Sequence, residues 1–146
     1  MDSIENSYGL ATPEELANLG GFDTPSAPEA KRLLREVGWG EQLEVLDVNA
    51  AAGESPLHLY SLKEAAKFFR FGTAGLGFTT GGSGSVSWAE ADQLLDWVER
   101  IIGDASLAAV LRERFGNQDS YHGVVKSASR LIDLRYTQLS LLAESA

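Results

Sequence analysis

Residues 71–88 read FGTAGLGFTTGGSGSVSW, from Phe71 to Trp88, and hold six of the fifteen glycines in the chain. How this stretch is taken decides the fold. A phosphate loop fails on spacing. Gly75-Leu76-Gly77 is followed by Phe78, Thr79 and Thr80, so the third glycine of a dinucleotide fingerprint is missing. No lysine lies between Phe71 and Val86 to complete a Walker loop. The acids Glu90 and Asp92 that follow repel an anion from a helix N-terminus. The stretch therefore reads as a Gly/Ser-rich connector over 72–86, and its run 81–85, GGSGS, has the composition of an engineered linker. On this reading Ser87-Trp88-Ala89-Glu90 is a capping box that opens a helix. The chain after it is wholly helical; the chain before it mixes helices with short strands.

Working upstream, Thr12-Pro13-Glu14-Glu15, Ser26-Ala27-Pro28-Glu29 and Ser61-Leu62-Lys63-Glu64 repeat the same start signal. The first predicts a helix that stops at Gly20-Gly21, the second one that runs through Val37 to Gly38, and the third one that ends near Phe71. Between them, alternation around Leu43, Val45 and Leu46 predicts a strand over 42–48. A small-residue turn over 49–56 and a second strand over 57–60 follow, paired antiparallel. Residues 1–10 lack apolar periodicity and read as a flexible arm. Downstream, the helix from Trp88 reaches Ile102 with Gly103 as its C-cap. Asp104 caps a shorter helix to Gly116, and a last helix runs from about Asp119 or Ser120 to Ala143. The expected architecture is a helix-dominated α+β domain over 11–146, with about six helices and a small two- or three-stranded antiparallel sheet.

Composition narrows the function. The 146 residues are 44% hydrophobic, enough for one ordinary core, and they carry a net charge of −9 with no cysteine. Zinc–thiolate sites, disulfides and cysteine nucleophiles are thereby excluded. No apolar run has membrane-spanning length, and the N-terminus lacks signal-peptide order, so a cytoplasmic protein is expected. Residues 1–30 contain six acids and residues 41–54 four, including Glu41 and Glu44, with no Lys or Arg in either segment. This acidity disfavours nucleic acid as a partner and suits a protein with a basic surface.

No residue pattern supports a catalytic role, a cofactor or a metal. His58 and His122 lack ligand spacing, and Gly82-Ser83-Gly84 is not a nucleophile elbow. Asp92 and Asp96 share a helix face that continues into Glu99 and Arg100, a solvated charged surface. Two helices carry more information. In the helix ending at Ile102, Leu94, Leu95, Val98, Ile101 and Ile102 form an apolar arc. Trp97 falls outside that arc and is a candidate partner anchor. In the last helix, Leu131, Ile132 and Leu139 define the core face. Arg135 points into it and needs an acid such as Asp47. Leu134 and Leu141 fall on the opposite side at heptad spacing, as a docking strip would.

The expected function is accordingly that of a non-catalytic binding protein, of inhibitor, immunity or adaptor type, using an acidic and partly apolar surface. The candidate contacts are Glu41, Glu44, Trp97, Leu134 and Leu141. One alternative is an anionic-ligand domain using Lys63, Lys67, Arg70 and the glycine stretch. Another is a homo-oligomeric subunit packed through the last helix.

Overall fold

Four of the helix starts written into the local sequence are ones the chain uses. A computed structural model describes residues 12–49, 53–68, 85–88, 91–116 and 121–144. Helix α1 (Pro13–Gly20) opens with a reciprocal capping box. Thr12 Oγ1 accepts from the Glu15 N–H at 3.2 Å, and Glu15 Oε1 accepts from the Thr12 N–H at 2.8 Å. In α2 (Ala27–Leu33), Ser26 Oγ accepts from the Glu29 N–H, but the Glu29 carboxylate turns to Arg32 instead of closing the box. Helix α3 (62–68) starts with Ser61 Oγ accepting from the Glu64 N–H, while Glu64 Oε1 accepts from the Tyr60 N–H at 2.7 Å.

The strand before α3 also explains why α2 stops short of Gly38. The Val37 N–H donates to the Tyr60 carbonyl at 2.7 Å, which draws the chain off the helix axis. Strands β1 (Leu43–Asn49), β2 (Gly53–Leu59) and β3 (Ser85–Trp88) form one antiparallel sheet in the order β2-β1-β3. Leu43 lies opposite Leu59, and Glu44 opposite His58, so one face is apolar and the other polar. Strand β2 begins at Gly53, inside the expected turn, and includes Pro56. That is tolerated because an edge strand has one side that need not donate to a ladder.

Strand β3 overturns the expected capping box at Ser87. Residues Ser85–Trp88 pair with Leu46–Asn49 of β1, so Ser85, Ser87 and Trp88 belong to the sheet and not to a linker or a helix. The arm over 1–10, the connector as far as residue 84, and Arg70 lie outside the described residues.

Helix α4 (Ala91–Asp96) passes directly into a π-helical turn, Trp97–Ile102, which closes on Gly103 in the left-handed conformation (φ 86°). Arg35 finishes that end, donating to the Ile101 and Ile102 carbonyls at 2.6 and 3.0 Å. Asp104 Oδ1 then accepts from the Leu107 N–H at 3.1 Å and starts α5 (Ala105–Gly116), as its N-cap position predicts. The last helix, α6 (Tyr121–Glu144), packs against α1, α2 and α5.

Being enclosed on several sides, α6 buries more than one face. Leu134, expected on a docking strip, is fully buried in the core with Leu131, Ile132 and Leu139. Leu141 is half-buried and packed against the same core. Both leucines are thus core positions, which removes the pair as a basis for packing between chains. Helices dominate the α+β fold, and the apolar faces of β1 and β2 join the same cluster through Leu43, Val45 and Leu59.

Arg135 is buried as its helix phase requires, and its partners are Asp104 and Asp23, not Asp47. Its Nε and Nη2 donate to the two oxygens of Asp104 at 2.8 and 2.9 Å. Nη2 also reaches Asp23 Oδ1 at 2.8 Å, and Nη1 reaches the Asp23 carbonyl and Gln138 Oε1 at 3.0 and 2.8 Å. These bonds engage all five guanidinium N–H groups. The Phe22 ring lies 5.2 Å from the guanidinium carbon and covers its face.

Candidate functional site

The segment entering β1 builds the most distinctive surface. At Gly38-Trp39-Gly40-Glu41 the chain makes a β-turn: the Glu41 N–H donates to the Gly38 carbonyl at 2.9 Å. Gly40, third in the turn, has φ 97°, a conformation that a side chain at this position would strain. Side chains fix the turn further. Glu41 Oε1 accepts from the Gly38 N–H at 3.1 Å, and Gln42 Oε1 from the Gly40 N–H at 2.7 Å. The residue held at its tip, Trp39, is 90% exposed. A tryptophan normally withdraws most of its surface from water, so this exposure is the exception that calls for a role.

Beside the turn lies an open cleft of about 340 Å³. One wall is the run Gly40–Glu44; the other is Gln93, Asp96, Trp97 and Ile101 from α4 and the π turn. The π turn makes this wall. Trp97 opens the π turn three residues after buried Leu94, at the edge of the same helical face, and that edge is covered. Trp97 is 3% exposed, and its indole N–H donates to the Glu41 carbonyl at 2.9 Å. The candidate anchor is therefore a brace that ties the helix to the turn.

Carboxylates rim the cleft. Glu44 lies 3.3 Å from His58 Nε2 across the strand pair, and Asp96 is 2.9 Å from Arg100 Nε one helical turn on. Both acids keep more than half of their side-chain surface in water, 70% for Glu44 and 57% for Asp96. Their oxygens stay accessible to a second cation. Leu43 and Trp97 are buried beneath the cleft and Ile101 is partly so, so the surface the cleft presents is more polar than apolar.

Of the residues singled out from sequence, Glu41, Glu44 and Trp97 meet at this cleft. Asp96 joins them from the charged, exposed face expected for it, where it pairs with Arg100. Leu134 and Leu141 belong to the core. Lys63 and Lys67 are exposed on α3. Sequence reasoning missed Trp39, whose signal was a bulky aromatic between two glycines, where no periodic element can bury it.

Among the described residues, no group of three or more His, Asp or Glu side chains could hold a metal ion, and no helix is long and apolar enough to cross a membrane. The most buried charged cluster, around Arg135, is saturated by its own chain. Comparison with known protein families, curated proteins and solved structures finds no match.

Proposed function

We propose that this is a non-catalytic binding protein that engages a basic protein partner through the Trp39 turn and the acid-rimmed cleft. The observation that carries the reading is Trp39 itself, almost wholly exposed on a turn held by three hydrogen bonds. Tryptophan is enriched among binding hot spots, and a turn whose backbone is already fixed loses little backbone entropy on docking. Burying one large aromatic removes roughly 200 Å² from water, about 5 kcal/mol at 25 cal/mol per Å² before the costs of association. Glu41, Glu44 and Asp96 add a negative field that favours a cationic surface. The net charge of −9 supports the same choice.

A photo-crosslinking amino acid placed at position 39, with a control at the exposed Arg130 on α6, tests this in the source cells. One protein should be captured at 39 and not at 130. With that partner purified, Trp39→Ala should weaken binding at least tenfold. Its association rate should fall as salt shortens the Debye length to about 3 Å at 1 M. Equal capture at both positions, or an association rate indifferent to salt, sinks the reading.

A further inference from the structure

We infer that the partner takes Trp39 into a closed apolar recess, and that Gly38 lacks a side chain so that the backbone of the turn can follow the indole in. This rests on the protein-binding reading and adds the shape and chemistry of the surface that receives it. The starting point is a glycine that the fold does not explain. Gly40 is required, because the third position of this turn has φ 97°. Gly38 is not required. Its φ lies outside the left-handed range. Among the described residues, a Cβ built on it would meet only Glu41 Oε1, at 3.4 Å, an ordinary contact. Nor does Gly38 close a helix, since α2 ends at Leu33. A glycine in such a place costs stability, because alanine there would leave the unfolded chain less freedom to lose.

What the missing side chain provides is clearance, as glycine does wherever a backbone must approach a ligand closely. Gly38, Trp39 and Gly40 are all exposed, so the indole stands on a stem with no Cβ on either side of it. The stem is also ready to leave water. The amides of Gly38, Gly40 and Glu41 already donate to Glu41 Oε1, Gln42 Oε1 and the Gly38 carbonyl. A paired donor enters an apolar surface at little cost, whereas an open one resists it. A flat partner would cover one face of the ring and gain nothing from Gly38. A recess covers both faces and brings its walls against the stem, which makes the width of the stem decisive. It needs one polar group at depth, an acceptor for the indole N–H.

The probe is β-cyclodextrin, a soluble ring whose apolar bore admits an aromatic side chain, titrated into the full chain and followed by indole N–H NMR. It should move the Trp39 signal and leave that of buried Trp97 in place. Its affinity should lie within about threefold of that for N-acetyltryptophanamide, and Gly38→Val should weaken it about tenfold. The milder Gly38→Ala should also weaken it, with a urea midpoint at or above that of the parent. A lower midpoint for Gly38→Ala would show that the fold needs the glycine, and overturns the inference. Equal binding of the ring by the parent and Gly38→Val does the same. A shift of the Trp39 signal with phosphatidylcholine vesicles but not with the ring would give Trp39 to a lipid surface, and also overturns it. A protein captured at position 39 should bind Gly38→Val about tenfold more weakly than the parent. Equal binding there overturns the recess and leaves the protein-binding reading standing, so the two fail separately.

Discussion

Replacing Arg135 by methionine should be among the most damaging single changes this fold can suffer. The arginine is 1% exposed, and the Asp104 side chain it neutralises is also 1% exposed. In Arg135→Met the methionine fills much of the volume, but Asp104 keeps only its bond from the Leu107 N–H. A buried charge that loses its partner costs about 3–5 kcal/mol. Domains of this kind have only about 5–15 kcal/mol in total. At roughly 3–4 °C per kcal/mol for a chain of this length, the melting temperature should fall by about 9–20 °C. Asp23 contributes little to the penalty, since its side chain is 65% exposed and rehydrates. The control is Arg135→Met with Asp104→Asn, which removes the stranded charge and keeps an N-cap acceptor for α5. It should recover at least ~1.5 kcal/mol of the loss. Urea denaturation followed by far-UV circular dichroism measures both variants. A single variant within ~1 kcal/mol of the parent, or a double variant no more stable than the single, would refute the reasoning.

Leu134→Ala should cost about 2–5 kcal/mol in the same assay, because the leucine is fully buried; a neutral result would mean that its face of α6 is free. Trp97→Phe keeps an aromatic in the π turn but leaves the Glu41 carbonyl without its donor, so it should cost about 1–3 kcal/mol. An unchanged unfolding midpoint would remove the brace from the account. The Glu29 carboxyl titrates below the ordinary range, chiefly because Arg32 donates to it; burial opposes this, and the charges of Arg32 and Arg35 add lesser lowering effects. Its stabilising effect is present above the unfolded carboxyl value of about 4.3 and is lost as pH falls through the lower folded value. Arg32→Gln should return Glu29 to the ordinary range in a carboxyl NMR titration, and an unmoved Glu29 would assign the shift to another cause.

Local signals were legible and non-local ones were not. Thr12, Ser26, Ser61 and Asp104 announce helix starts because a cap is a contract between residues three apart, and each accepts the bond that its position predicts. Ser87 misled for the same reason. Its spacing to Glu90 imitates a cap, whereas what fixes Ser85–Trp88 is pairing with β1, some forty residues upstream. Trp97 was misplaced because it lies at the edge of the apolar arc, and a wheel does not show that the segment entering β1 covers that edge through the Glu41 carbonyl. Leu134 was misplaced because a wheel assigns one inner face, while α6 is flanked by α1, α2 and α5. The acids of the cleft were half legible: Glu41 and Glu44 stand out by the absence of nearby bases, but Asp96 reaches them only through the tertiary fold. That Arg135 needed an acid followed from helix phase; which acid did not, since Asp104 is 31 residues away and Asp23 is 112.

Those separations bear on time as well as on stability. Neither the Asp104 pair, 1% exposed on both sides, nor the Asp23 bond across 112 residues can form before the surrounding elements have packed, because desolvating the charges and closing the long loop must first be offset by other contacts. The charged knot at Arg135 should therefore be missing from the folding transition state and complete only on the native side of it. Its energy would then act almost entirely on escape. Arg135→Met should raise the unfolding rate by about 10²–10⁴-fold, the kinetic equivalent of about 3–5 kcal/mol, and change the refolding rate by no more than a few-fold. Stopped-flow chevrons separate the two limbs, and a refolding rate that fell as far as unfolding rose would place the knot in the nucleus. On this account Asp23, Asp104 and Arg135 work as a latch. They do little to guide the chain to its fold, and they set how long a molecule, once folded, stays out of reach of a protease.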